Sequence, residues 1–161
     1  MPRYLRAATL LAACSIGLAA GQAPPATAAI ETTVKQFLTA LNNADWESFR
    51  KIWTENPVVF HPAIPHRIDE QKAFDESWKV TIDTIRKQAT ARGMTQPPFF
   101  NLQAQNLRID VLSPDIALAT FHIIGGTTIG RRTLVLVKSE SEWKIAHLHA
   151  SNISPQKGQA P

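Results

Sequence analysis

The stretch from Gly130 to Ile153, GRRTLVLVKSESEWKIAHLHASNI, limits the possible folds more than any other part of the chain. It reads as two β-strands, 130–138 and 143–151, joined by the tight polar turn Ser139-Glu140-Ser141-Glu142. The second strand ends in a W-x-I-x-H-x-H-x-S pattern, from Trp143 to Ser151.

Two more strands are expected before this hairpin, at 99–111 and 115–125. Ser113-Pro114-Asp115 supplies turn chemistry between them, and Gly125-Gly126 starts the next turn. Upstream the period changes. Ile30, Val34, Phe37, Leu38 and Leu41 recur at helical spacing, which predicts an amphipathic helix over 30–42 that ends at Asn42-Asn43. Asp45 is a good N-cap for a short second helix, with Glu47 in its first turn and Trp46, Phe49 and Trp53 along one side. Pro57 to Phe60 reads as a short strand, and Pro62 and Pro65 make the next segment a loop. Asp69 is the expected cap of a third helix, carrying Phe74, Trp78, Ile82 and Ile85 and running to Arg92, with Gly93 as its C′ residue.

Helices followed by a four-strand meander give an α+β class rather than α/β. The expected architecture is a cone-shaped, curved antiparallel sheet of about four long strands plus a short one, packed on three N-terminal helices. Such a fold leaves a hollow between helices and sheet, a common type of ligand site.

The first 29 residues read as a secretory signal peptide. Arg3 and Arg6 form a positive n-region, Ala7 to Ala20 is almost wholly apolar, and Ala26-Thr27-Ala28 resembles a cleavage site. The run is too short for a comfortable transmembrane helix, and no later stretch qualifies. Leu11-Ala12-Ala13-Cys14 resembles a lipobox, so lipidation at Cys14 with anchoring in the cell envelope is the alternative to free periplasmic or secreted export. Apolar residues continue past Cys14 to Leu18, which favours an ordinary signal. Without a second cysteine, the exported domain relies on its core rather than on disulfides. The expected organisation is thus 1–29 signal peptide, 30–153 folded domain and 154–161 disordered tail.

The formal net charge is +4, and two of those charges sit on Arg3 and Arg6. The remainder is scattered and too weak to imply nucleic acid.

The residues Phe60-His61-Pro62, Ala119-Thr120-Phe121-His122 and the Trp143–Ser151 run, in this order of elements, resemble the nuclear-transport-factor-2-like superfamily. Within it the chain is most similar to SnoaL-like domains and to the association domain of calcium/calmodulin-dependent kinase. The resemblance covers about 30–153. It implies the cone fold and a homodimer, but no single function, because the superfamily hosts isomerases, cyclases, dehydratases and oligomerisation modules.

The same resemblance suggests where a site would lie. In the kinase domain the position matching His122 carries an arginine that reaches into the cavity. Two more cavity arginines correspond to Leu134 and Ala150, which predicts a more apolar hollow here, less suited to carboxylate ligands, in which Arg132, of one parity with Leu134, would restore one positive charge at the rim. Thr120 and His122 share a strand face and are expected to line it, with His122 the leading acid/base candidate and His61 the next. Trp78, Arg132, Leu134 and Leu148 complete the expected ligand-binding set. Trp143, Ile145, His147 and His149, all of one parity, are expected to form the dimer contact. No acid accompanies the His147/His149 pair on its strand, so no metal is assigned.

Cofactor motifs are absent, as is any recognisable Ser/His/Asp or Cys/His set. The only tyrosine is Tyr4, so the oxyanion donor of ketosteroid-isomerase-type chemistry is missing. Gly125-Gly126 is no phosphate loop, because no helix follows it. The sequence favours an exported, homodimeric, non-catalytic domain that holds a small, largely apolar ligand. The alternatives are a cofactor-independent lyase, isomerase or cyclase using His122, and a structural association module.

Overall fold

The computed structural model describes residues 26–125 and 128–154. Tyr4, Cys14, most of the expected signal peptide and residues 155–161 of the expected tail lie outside the described residues.

Helix α1, Ala26–Asn43, buries Ile30, Val34, Phe37, Leu38 and Leu41, the stripe its spacing predicts. It begins at Ala26, within the segment expected to be leader. It stops where Ala44 adopts a positive φ of 50°. Asp45 then caps helix α2, Trp46–Lys51. Its carboxylate accepts from the Ser48 amide at 3.1 Å and the Ser48 hydroxyl at 2.6 Å, and these bonds hold its pKa below the ordinary value.

Strand β1, Trp53–Phe60, starts earlier than expected: Trp53 belongs to it and not to α2. Helix α3, Gln71–Ala91, has Glu70 at its N-cap rather than Asp69. Asp69 is engaged by Arg67 instead. Gly93, with φ +79°, follows the C-cap Arg92 as predicted. Four strands complete the fold: β2 Gln105–Ser113, β3 Ile116–Gly125, β4 Thr128–Ser139 and β5 Glu142–Ile153. The 99–104 segment is not strand. Asn42 clamps it from the end of α1: its side chain donates to Leu102 O at 3.1 Å and accepts from Leu102 N at 2.7 Å.

The strands form one sheet in the order β1-β5-β4-β3-β2. The sheet is mixed, because β1 runs parallel to β5 while the other neighbours are antiparallel. Helices cover its inner face. Phe49, fully buried, centres an aromatic cluster, with ring centroids 5.4 Å from Trp53 and 4.6 Å from Trp78. Arg50 ties α2 to α3 and β1 from the side, bonding Asp75 at 3.0 Å and the carbonyls of Thr54 and Glu55 at 2.9 Å.

One irregularity decides which residues face where. Val135 pairs with His147 and Leu136 with Ile145, so Ala146 is an extra residue in β5. This β-bulge reverses parity along the strand. Trp143 and Ile145 therefore point into the core, at 6% and 0% exposure. His147 and His149 point to the outer face beside Phe60, at centroid distances of 6.1 and 5.7 Å. The four residues expected to share a contact face are split between the two sides of the sheet.

Candidate functional site

The cone cavity, about 270 Å³, lies between the sheet, α1 and α3. Phe37 and Leu41 of α1, and Trp78 and Ile85 of α3, form its helical walls. Ile123, Leu148 and Ala150 form its floor, and Leu102 closes one side. His61, Arg132 and Thr81 bring its polar atoms.

His61 gets there through a backbone device. Val59 and Ile68 exchange amide–carbonyl bonds of 2.8 and 2.9 Å, closing the loop between them. The loop turns His61 and Pro62 over the end of β1 and sets His61 edge-on to Trp78, with centroids 5.1 Å apart. The Ala63 amide donates to His61 Nδ1 at 3.2 Å. Neutral His61 therefore carries its proton on Nε2 and acts there as a donor. Burial first, and the Arg132 charge second, push its pKa below 6.5, so it is neutral at pH 7.

Arg132 turns inward on β4. Its Nη1 donates to Arg131 O at 2.9 Å, Ser151 O at 3.1 Å and Asn152 Oδ1 at 3.3 Å, and its Nη2 donates to Asn152 Oδ1 at 3.3 Å. Burial pulls its pKa down, but a guanidinium stays charged at neutral pH. Gly130 makes room for it: a Cβ there would lie 2.9 Å from both Nη atoms.

Four of the seven expected ligand-binding residues, His61, Trp78, Arg132 and Leu148, line this cavity together. Leu134 is fully buried on the same sheet face, in register with Leu148, but forms core rather than cavity lining. Thr120 and His122 lie on the opposite face. In β3 the buried residues are Ala117, Ala119, Phe121 and Ile123. Both faces of this strand carry apolar residues, so alternation alone does not select the inner one. The small Ala117 and Ala119 allow the helices to approach, and Phe121 reaches Phe37 edge-on at 6.5 Å. His122 instead pairs with Arg131 across the outer face. Two acids on the flanking elements are engaged elsewhere: Asp75 of α3 holds Arg50, and Asp110 of β2 pairs with Arg108 at 2.9 Å.

Sequence reasoning missed Leu102, which nothing in its neighbourhood marks, and the supporting roles of Gly130 and Asn152. Thr81 lies three residues after Trp78, a helical spacing that could have found it. The described residues contain no cluster of three or more His, Cys, Asp or Glu able to hold a metal. No described helix is long and apolar enough to cross a membrane.

Solved structures share this architecture. A candidate dehydratase of the NTF2-like family from Streptomyces avermitilis superposes with a TM-score of 0.62 at 15% identity, covering 79% of this chain and 95% of that one. The CamKII hub homology domain of Chlamydomonas reinhardtii gives 0.59 at 15% identity, over 80% and 99% of the two chains. An NTF2-like protein of unknown function from Pseudomonas putida KT2440 gives 0.59 at 17% identity, over 76% and 82%. At these identities the likeness establishes the fold alone. No curated protein sequence matches the chain. The model of the SnoaL-like domain family matches residues 30–155, the helices, the sheet and the cavity together, and the chain belongs to that family.

Proposed function

We propose that this SnoaL-like domain is an exported homodimer that holds a small, largely apolar ligand in its cone cavity without transforming it. The observation that carries the reading is the hollow itself. Its lining is mostly apolar, with polar groups from His61, Thr81 and Arg132, the pattern of a site that orients a ligand by a few polar contacts. His61 favours binding over base catalysis, because its Nδ1 lone pair is occupied by the Ala63 amide and its Nε2 is a donor. For the dimer, the outer sheet face offers Val58, Leu118, Val135 and His147 in one cross-strand row, and Phe60, His149, Thr133 and Thr120 in the next.

The test is native mass spectrometry of the protein purified from its own cell envelope. The reading expects a dimer carrying a discrete extra mass. An empty monomer contradicts it. The same spectrum reads the N-terminus, as a lipidated Cys14 or as cleavage near Ala28.

One observation favours a second reading, a cofactor-independent lyase or isomerase. His61 and Arg132 face one cavity, where an acid and an oxyanion-stabilising cation would work together. His61, not His122, then donates a hydrogen bond from Nε2–H to the developing oxyanion beside Arg132. His61→Gln would abolish turnover under this reading and only weaken binding under the first.

A further inference from the structure

The polar end of the cavity has an unbalanced chemistry. Arg132, His61 and Trp78 all offer N–H donors to it or beside it, and only the Thr81 hydroxyl can also accept. No Asp or Glu lines it. Every acidic residue of the chain lies among the described residues, and none of them forms an ion pair with Arg132. A half-buried cation without a carboxylate partner is costly unless something else supplies the opposite charge.

The guanidinium is also fixed in a particular way. Its bonds to Arg131, Ser151 and Asn152 occupy Nη1 and one side of Nη2. Among the described residues nothing accepts from Nε–H or from the second Nη2–H. Those two N–H groups form one edge of the guanidinium plane, the edge that matches a carboxylate bidentately. Trp78 adds an indole N–H that is buried and has no partner among the described residues. Gly130 keeps the back of the guanidinium free of a side chain, so the head group can lie against the sheet.

We propose that the ligand is an apolar molecule bearing one carboxylate, held bidentately by Arg132 Nε and Nη2, with His61 Nε2–H as a second donor. This rests on the reading of the cone as a ligand cavity. One guanidinium supplies one positive charge, which suits a monoanion. The aromatic and aliphatic walls exclude a second charged group at the far end.

Matched acid and amide pairs test it by isothermal titration calorimetry on the full-length protein. Phenylacetate is compared with phenylacetamide, and hexanoate with hexanamide. The members of each pair have nearly the same shape and differ in charge. The proposal expects the acid to bind at least about tenfold more tightly than its amide. Arg132→Met should remove that preference while leaving amide binding in place, and Arg132→Lys should restore part of it. Gly130→Ala keeps the charge but displaces the guanidinium, and should reduce the preference without unfolding the protein. Equal or tighter binding of the amides overturns the carboxylate proposal and leaves the cavity reading standing. Binding by none of the four compounds contradicts the cavity reading itself, and the proposal falls with it. An acid preference that persists in Arg132→Met places the anion elsewhere and also overturns it.

Discussion

The two faces of the central sheet are built from neighbouring residues and have opposite characters. Arg131 and Arg132 are adjacent, yet Arg131 lies outside, bonding Ser151 Oγ at 3.2 Å, and Arg132 faces the cavity. Phe121 is buried under α1 while His122 is on the outer face. Leu148 lines the cavity between His147 and His149, which flank Phe60 outside. The inner face is closed by helices and holds the cavity. The outer face has no covering element among the described residues, and Phe60 there is 41% exposed. The comparison shows that residue type does not assign a histidine or arginine to a site in this fold. One step of pleat, or one bulge, does.

A charge at Ile145 separates the two faces most strongly. That residue is fully buried, so Ile145→Lys should cost more than the roughly 2–5 kcal/mol of a truncation to Ala. The domain should fail to fold cooperatively in urea. His149→Lys, four residues on and in the proposed dimer face, should still unfold cooperatively and lose only the stability that the dimer contributes. A folded Ile145→Lys protein that merely loses its dimer would mean that Ile145 faces outward.

The next contrast lies within β3. Phe121→Ala should destabilise the domain by about 3–5 kcal/mol, the cost of emptying a large core site. His122→Ala should cost less than about 1 kcal/mol and leave ligand affinity unchanged. Denaturant midpoints and a binding titration check both. A His122→Ala protein that folds normally but binds no ligand would return that residue to the cavity.

Stability against pH gives the smallest effect. Burial comes first for both His61 and His147, and each has a folded pKa below the ordinary 6.5. As pH falls through 6.5 the unfolded chain takes up these protons first. Stability is therefore complete above that value and declines below it, toward the folded pKa values. His61→Gln should remove the inner contribution and His147→Gln the outer one. Thermal midpoints between neutral and mildly acidic pH measure each separately.

The α+β class, the order of elements and most of the core were legible in the sequence, because helical and strand periods are strong in Ile30–Leu41, Phe74–Ile85 and Arg132–Leu136. Gly93 and Asp45 marked their caps correctly. His61, Trp78, Arg132 and Leu148 could be read as cavity residues. The parity of β3 could not, since both its faces carry apolar residues and only the helices above it decide. The bulge at Ala146 was equally hidden, because W-x-I-x-H-x-H looks like an unbroken alternation. Asn42, which looked like a simple helix stop, also positions Leu102 by hydrogen bonds across 60 residues of sequence.

On the proposed function, the inner face holds a ligand and the outer face a second copy. Native mass spectrometry of the wild type beside two variants tests both halves at once. Ala150→Leu adds bulk to the cavity floor, and His147→Lys places a fixed charge on the outer face. The account predicts that Ala150→Leu remains a dimer but loses the extra mass. It predicts that His147→Lys becomes a monomer that keeps the mass. A ligand mass that survives in Ala150→Leu, or a dimer that survives in His147→Lys, would contradict it.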